Sequence, residues 1–364
     1  MNESQSLPPI QNNSFAWYGP DMSQREDEWL TILSTDEIRE LEHAAELISR
    51  SGKKIEEIIQ QDFPLPNLAP KLLHLRKELI NGRGFALLRG LPTAKYSEQE
   101  TGIIFYGLGT HLGSTRKQNA QGHLLGHVRD MGMASTDPNV RIYQTHERQT
   151  FHTDSADVVG LLCLQEAKRG GLSLLCSSTT IFNEMRKQRP ELLELLFEPI
   201  ATDRRGEVPE GMLPYFLIPV FNYFKGYLTA IYQRQYIDSA QRFPDAPRLS
   251  EKHVEALDMF DGLANSPELH FSMKLEVGDM QFVYNHTLLH DRTNFEDFTE
   301  DERKRHLLRL WLAIPGDRPL PEIFSTRFGE RYPIPPQIMV QTIPSSAPQT
   351  PPDRAADQDP DRDG

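Results

Sequence analysis

The chain has 364 residues, of which 38% are hydrophobic and 25% charged, and this is the composition of an ordinary globular protein rather than a disordered or fibrous one. A formal net charge of −13 argues against nucleic-acid and anionic-membrane partners and leaves a small molecule as the expected partner. No apolar run reaches the ~18 residues that span a bilayer, and the N-terminus lacks a secretory pattern, so a cytoplasmic location is expected.

Residues 1–81 are predicted to form an N-terminal extension whose helices pack on a separate core. A helix is predicted from Asp36 to Arg50, because Ser34 and Glu37 form a capping-box pattern and apolar residues then recur on one face. A second helix is predicted over residues 72–80, where a leucine-rich run ends at an Asn-Gly pair.

Short strand-like runs dominate from residue 82 to residue 343, which favours one mainly β domain with inserted helices. The predicted strands cover residues 85–89, 140–144, 158–164, 172–176, 215–220, 227–232, 269–275, 280–284 and 306–314. The predicted helices within this domain cover residues 180–187, 191–197 and 251–263. Residues 344–364 hold five Pro, five Asp and almost nothing apolar, so a disordered tail is expected there.

His152 and Asp154 form a His-x-Asp pair within a strand-like segment. Residues i and i+2 of a strand point to the same face, so the two side chains can bind one metal ion together. Imidazole and carboxylate suit iron(II), and a second histidine would complete a two-histidine, one-carboxylate set with open positions for other ligands. The pair is weak evidence by itself, because the chain has twelve histidines.

A second His-x-acid pair, His253 and Glu255, lies in a segment where apolar residues recur at helical spacing. Two residues apart on a helix means ~200° around the axis, so these side chains cannot share a metal ion. This pair is therefore rejected on geometry.

Support for the first pair comes from the segment after the predicted strand 280–284, which contains His286 and His290. A strand follows in which Arg305 and Arg309 lie on one face. Arginine presents a planar, permanently charged fork to a carboxylate, so this strand face suits a dicarboxylate co-substrate.

Four segments together resemble the taurine dioxygenase/TfdA-like family of iron(II)/2-oxoglutarate oxygenases, including its clavaminate-synthase-like members. They are F-H-T-D, G-G-L-S-L, N-H-T-L-L-H-D-R-T-N-F and R-H-L-L-R-L-W-L, and the resemblance covers roughly residues 82–315. It implies a double-stranded β-helix core, a jelly-roll of the cupin-like kind, with iron inside its mouth.

The resemblance also implies a metal site. Matched residue by residue, His152 and Asp154 correspond to the proximal iron ligands and His290 to the distal one. His286, four residues earlier, is expected to pack or to orient the loop.

The same comparison implies a co-substrate site for 2-oxoglutarate. Ser173 stands where many members have a threonine that hydrogen-bonds the co-substrate, and it keeps the hydroxyl. Arg305 matches the residue that pairs with the distal carboxylate, and Arg309 matches a second arginine that serves co-substrate or substrate. The further candidates for substrate contact, besides Arg309, are Gln118, Asn119, Tyr143 and Gln144.

An enzyme of this kind uses iron(II), 2-oxoglutarate and O2, releases succinate and CO2, and oxidises an unactivated C–H bond by hydroxylation, desaturation or cyclisation. A small polar or anionic substrate is expected, and an amino acid or its derivative is the narrower expectation. Two other classes stay open: a jelly-roll metal hydrolase or isomerase with zinc in the same ligands, and a non-catalytic jelly-roll binding protein. The sequence indicates no particular oligomeric state.

Overall fold

A computed structural model describes residues 7–119, 121–133, 140–208, 210–314 and 316–324. The helices are α1 Gly19–Ser23, α2 Glu26–Trp29, α3 Thr35–Ser51, α4 Ala69–Asn81, α5 Glu98–Thr110, α6 Ser178–Gln188, α7 Pro190–Leu195, α8 Arg234–Ala240 and α9 Glu251–Ala264. The strands are β1 Leu30–Ile32, β2 Phe85–Arg89, β3 Ser114–Thr115, β4 Leu125–Val128, β5 Gln149–His152, β6 Val158–Gln165, β7 Arg169–Gly170, β8 Ser173–Ser177, β9 Ile200–Asp203, β10 Tyr215–Ile218, β11 Phe221–Phe224, β12 Tyr227–Ala230, β13 His270–Met273, β14 Met280–Tyr284, β15 Leu288–Arg292, β16 Phe295–Glu296 and β17 His306–Ala313.

The larger of two main sheets has the strand order β1-β2-β14-β6-β17-β3, and β4 also pairs with β17. Pairing is antiparallel apart from β1, which runs parallel to β2. One face of the sheet packs against α3, α4 and α5 through a continuous apolar cluster. The other face of the sheet meets the smaller sheet, so β2 and β14 are covered on both faces. Such strands are apolar along almost their whole length, as these two are.

The smaller sheet has the order β13-β8-β15-β5 and faces the larger one. Side chains from both sheets meet in a shared interior that includes Phe85, Val159, Leu175, Leu288 and Leu307. Helices α6, α7 and α9 cover the outer face of the smaller sheet. The molecule is thus mainly β with inserted helices, and its two facing sheets form the expected jelly-roll core. Between them they leave the space that holds the site described below.

The two predicted N-terminal helices are confirmed as α3 and α4, each slightly longer than predicted. The capping box at α3 is present: Ser34 Oγ accepts from the Glu37 backbone at 3.3 Å, and Glu37 accepts from the Ser34 backbone at 2.8 Å. The division at residue 81 stays a prediction, and β1, from the N-terminal side of it, pairs with β2 at the edge of the larger sheet. The predicted tail, 344–364, lies outside the described residues.

Several elements differ from the sequence-based expectation, and two of them bear on the site and on the packing of the core. Residues 140–144 were expected as a strand, but Ile142–Gln144 is a 3-10 turn, in which the Gln144 side chain accepts from the Arg141 backbone at 3.2 Å. Helix α5 was not expected, because three glycines interrupt its apolar run. A Cβ at Gly107 would lie 2.3 Å from the Phe63 ring, so the glycine allows α5 to pack closely. Among the described residues, none of the helices is long and apolar enough to cross a bilayer.

Candidate active site

The predicted metal ligands converge at the open end of the smaller sheet. His152 ends β5 and lies directly opposite His290 of β15 in the antiparallel ladder, with ring centroids 4.1 Å apart. Asp154 follows two residues after the strand, and its Oδ2 lies 3.8 Å from His290 Nε2. One ligand atom from each of the three side chains lies within 4.8 Å of the others. These three donors have the composition that suits iron(II).

Strand geometry alone does not place Asp154, because β5 ends at His152. Instead the Asp154 backbone N–H donates to Asn285 Oδ1 at 3.0 Å, and the other side of that amide donates to the Ala156 carbonyl at 3.0 Å. The indole of Trp311 donates to Asp154 Oδ2 at 2.9 Å and orients the carboxylate. Neither Asn285 nor Trp311 was predicted as part of the site.

The electrostatics of the triad favour the forms that bind a metal. Burial, reinforced by the neighbouring His152, lowers the pKa of His290 to about 3, and burial also lowers the pKa of His152. Although burial opposes its ionisation, the nearby Arg309 and both histidines hold the pKa of Asp154 at about 2. At neutral pH the site therefore presents two neutral imidazoles and one carboxylate, the protonation states that metal binding requires.

Neighbouring groups also orient the first histidine. His152 Nδ1 lies 2.8 Å from the Thr150 carbonyl, which accepts its proton and leaves the lone pair on Nε2. That Nε2 lies 2.8 Å from the Gln149 side-chain amide. The tautomer with an available Nε2 is thereby favoured before any metal binds.

The other residues considered as metal ligands have structural partners. His286 lies 2.7 Å from Asp157, whose second oxygen accepts from the Ile314 backbone at 2.7 Å, so His286 orients the loop as expected. His253 and Glu255 lie on α9, where they contact Glu198 and Arg189 respectively. The helical geometry that excludes His253 and Glu255 as joint ligands is confirmed.

A narrow cavity runs from the metal triad into the space between the two sheets. Its walls include Ser173, Arg305 and Arg309, with Leu161 and Leu307 between them. Within the part of the chain that is described, Arg305 Nη1 is buried without a hydrogen-bond partner, and burial lowers the pKa of this residue to about 10. A buried guanidinium with an unused N–H fits the carboxylate of a co-substrate. The Ser173 hydroxyl donates to Gln281 at 3.0 Å and keeps its own lone pairs.

Arg309 points toward the metal end of the same cavity. Its Nη1 lies 3.8 Å from Asp154 Oδ2, and its guanidinium stacks on the Tyr143 ring at 4.6 Å. Gln118 fixes it, since Gln118 Oε1 accepts from Arg309 Nε and its amide donates to the Arg309 carbonyl, both at 2.8 Å. The Gln118 amide also donates to the Leu124 carbonyl. Gln118 therefore supports Arg309, a role that the sequence did not indicate.

Replacing Gln118 with leucine is expected to weaken binding of the primary substrate. Arg309→Ala should have the same effect to a larger extent. The substitution removes a hydrogen bond to a charged group, which typically contributes ~1.5–3 kcal/mol. Separate titrations of co-substrate and substrate on each variant would measure this. Gln241→Leu is the matched control, because Gln241 also uses both ends of its amide on backbone groups, at Pro247 and Leu249, and lines neither the cavity nor the cleft. Identical titrations for Gln118→Leu and the unsubstituted enzyme would contradict the assignment.

Beyond the triad the cavity opens into a wider cleft of about 470 Å³. Three of the predicted substrate residues besides Arg309 line it, namely Gln118, Asn119 and Tyr143. Gln144 is not among the lining residues, and its side chain closes the turn onto Arg141. The roles of these residues toward a substrate stay predictions.

A jelly-roll that holds two histidines and a carboxylate beside a buried arginine pocket defines the class of non-haem iron enzymes that use 2-oxoglutarate. A family model described as "Taurine catabolism dioxygenase TauD, TfdA family" matches residues 49–311. The chain belongs to this family and is an iron(II)- and 2-oxoglutarate-dependent dioxygenase. The zinc hydrolase and the non-catalytic binding protein are thereby set aside.

Individual relatives agree with this assignment. The chain is 34% identical over 309 residues to FR-33289 synthase of Streptomyces rubellomurinus, a match covering 83% of this chain and 90% of the relative. It is 32% identical over 328 residues to the taurine hydroxylase-like protein SAT17 of Stachybotrys chartarum, covering 84% and 82% respectively. The crystal structure of an asparagine oxygenase with Fe(II), 2S,3S-3-hydroxyasparagine and succinate superimposes with a TM-score of 0.62 at 16% identity. That match covers 78% of this chain and 93% of the other and supports the fold.

Replacing Asn285 with alanine is expected to weaken iron binding ~10–100-fold, the usual effect of removing a group that orients a metal ligand. The Asp154 backbone loses its acceptor, and the turn that carries the carboxylate loosens. Iron(II) titration of the metal-free protein under nitrogen would measure the change. Asn222→Ala is a matched control, because Asn222 is also buried but bonds to the Pro219 carbonyl away from the site. Unchanged iron affinity in Asn285→Ala would contradict this role.

Proposed function

We propose that this enzyme oxidises an unactivated C–H bond of a small molecule that carries an anionic group, with an amino acid or its derivative as the favoured class. Hydroxylation is the simplest outcome, and desaturation or cyclisation would start from the same C–H cleavage. The observation that carries the proposal is the charge of the cleft that opens onto the metal triad. Its cationic lining residues are Arg116, Lys117, Arg141, Arg204 and Arg309, and its acidic ones are Asp154, Asp203 and Glu207.

The acidic residues of this cleft have functions or partners of their own. Asp154 belongs to the metal triad, Glu207 forms an ion pair with Arg141, and Asp203 lies 3.1 Å from Arg242. Five cationic lining residues against three acidic ones still give the cleft an excess of positive charge, which attracts anions. Guanidinium groups also match the planar fork of a carboxylate.

An amino acid suits a cleft that contains both signs of charge. Its carboxylate would meet the arginines, and its ammonium would share the carboxylates of Asp203 and Glu207 with their partners Arg242 and Arg141, since a carboxylate has about four acceptor positions. The cleft volume of about 470 Å³ is that of a site for a small molecule. The shared fold with an asparagine oxygenase is consistent with this class of substrate.

The chain's own residues prepare the reaction. His152, Asp154 and His290 would hold iron by one face, and Arg305 would hold the distal carboxylate of 2-oxoglutarate. With O2, the bound iron and co-substrate supply the oxidising chemistry and release succinate and CO2. Leu161 and Leu307 exclude water from the inner cavity, so that the oxidising equivalents reach the substrate rather than solvent. The cleft beyond the triad orients the C–H bond.

A second candidate substrate class is a molecule with a tetrahedral oxyanion, such as a phosphonate or sulfonate. The excess of arginine and lysine in the cleft favours it, because such a group has a third acceptor oxygen and a phosphonate can carry a second negative charge. The two substrate classes differ only in the acidic group, so an experiment that varies this group on one carbon skeleton distinguishes them.

The test is a substrate panel with iron(II), 2-oxoglutarate and O2, scored for succinate formed above the rate without substrate and for the oxidised product by mass spectrometry. The panel contains amino acids and N-acyl amino acids, with aminophosphonate and aminosulfonate analogues of the same carbon skeletons. Each compound is paired as a control with the amide of its acidic group, which removes the negative charge of that group. Stimulation by the acids and none by the amides supports the proposal. Oxidation of the amides alone would overturn it.

A further inference from the structure

A second buried arginine faces the co-substrate cavity, and neither the sequence motifs nor the known chemistry assigns it a role. Arg292 is the last residue of β15, two positions after His290, and its side chain lines the same cavity as Arg305. It is 7% exposed. Its Nη2 donates to the Glu147 carbonyl, whereas Nε and Nη1 are buried without a hydrogen-bond partner in the described ranges of the chain.

Arg292 and Arg305 are neighbours across one aromatic ring. The guanidinium carbons of Arg292 and Arg305 lie 4.7 Å and 5.2 Å from the Phe295 ring centroid. The nearby carboxylate of Asp297 accepts from the Arg305 backbone N–H at 2.8 Å. Asp291 forms its ion pair with Arg148 instead.

Two guanidinium charges in one buried cavity, each with an unpaired N–H group, raise the free energy of the folded protein unless an anion binds to both. The cavity is too narrow for a large ligand and leads directly to the metal triad. A carboxylate has two oxygens with about four acceptor positions, enough for N–H groups from two guanidinium groups. Ser173, whose backbone is paired with that of Arg292 in the ladder between β8 and β15, adds a hydroxyl to the same wall.

We infer that Arg292 is a second residue, together with Arg305, that binds the distal carboxylate of 2-oxoglutarate. Two arginines make the pocket selective for a 2-oxo diacid, because a 2-oxo monoacid leaves N–H groups of both guanidinium groups buried and unpaired. Arg309, fixed by Gln118 at the metal end, is not part of this clamp.

The test compares two ligands on the iron-loaded protein under nitrogen, with binding followed by the visible charge-transfer absorption of the iron–2-oxo acid complex. The ligands are 2-oxoglutarate and 2-oxobutyrate, which lacks the distal carboxylate. Arg292→Met is expected to weaken 2-oxoglutarate at least ~10-fold, or about 1.4 kcal/mol, and to leave 2-oxobutyrate unchanged. Arg292→Lys keeps the charge but not the fork, and should recover part of the loss.

Two controls distinguish this role from structural support of the Glu147 carbonyl. Arg318→Met removes another buried arginine, which donates to the Leu228 carbonyl and Thr229 away from the cavity, and it should change neither affinity. Arg305→Met should reduce the preference for 2-oxoglutarate over 2-oxobutyrate in the same way as Arg292→Met. If Arg292→Met weakens both ligands equally or weakens neither, the inference is overturned. If Arg292→Met does not fold, the preference of Arg292→Lys decides in the same way.

Discussion

Alanine at any one of His152, Asp154 or His290 is expected to abolish stoichiometric iron binding and reduce succinate formation to background. The three side chains supply all the protein donors of the triad, and their ligand atoms already lie within 4.8 Å of one another. Removing one leaves two donors, too few to hold the ion against water and buffer. Metal analysis after anaerobic loading and desalting measures the first effect, and a succinate assay the second.

The controls for this prediction come from the rejected pair. His253→Ala and Glu255→Ala change a histidine and an acid at the same sequence spacing but on opposite sides of α9. Both variants should bind iron normally. Loss of iron from these variants, with retention in His152→Ala, would show that the metal lies elsewhere.

Arg305→Ala is expected to raise the apparent KM for 2-oxoglutarate at least ~30-fold, because truncating one partner of a buried charge pair typically costs ~2–5 kcal/mol. Arg305→Lys should recover part of this, since an ammonium cannot form two parallel hydrogen bonds. Arg309→Ala should mainly weaken binding of the primary substrate. Succinate should then form without a matching amount of oxidised substrate. The iron affinity of Arg305→Ala should stay normal.

The measurement is a pair of titrations on each variant, in which one ligand is varied while the other is saturating. If Arg309→Ala damages 2-oxoglutarate binding and Arg305→Ala spares it, the two roles are exchanged. If both titrations stay normal in both variants, neither arginine belongs to the site.

The sequence predicted the elements whose signals are local. The strands β2 and β14 were located to the residue, because buried strands bounded by turn residues are unambiguous. The choice of the His152 pair over the His253 pair followed from periodicity, which separates strand from helix. The arginine pair was recognised because Arg305 and Arg309 follow His290 closely along the chain, although Arg305 lies one residue before β17 begins.

What the sequence did not reveal depends on contacts between distant parts of the chain. Asn285 reaches the backbone at Asp154, and Gln118 reaches Arg309 from a loop nearly two hundred positions earlier. Arg292 was not predicted, because it is not one of the two arginines that follow His290 in the R-H-L-L-R-L-W-L motif. Its unpaired N–H groups depend on the contacts that form the cavity. The close approach of α5 through Gly107 likewise has no local signature.

Strand β5 is the outermost strand of the smaller sheet, and this position has a dynamic consequence. It is four residues long, pairs with β15 through an irregular register, and on its other side has an isolated bridge from His152 to Gln233 within the described structure. Short strands at a sheet edge open at lower free energy than central ones. In the metal-free protein the amides of β5 should therefore exchange with solvent faster than those of β14. Iron held by His152 on β5 and His290 on β15 would link the two strands, so metal loading should slow hydrogen exchange most at this edge of the sheet.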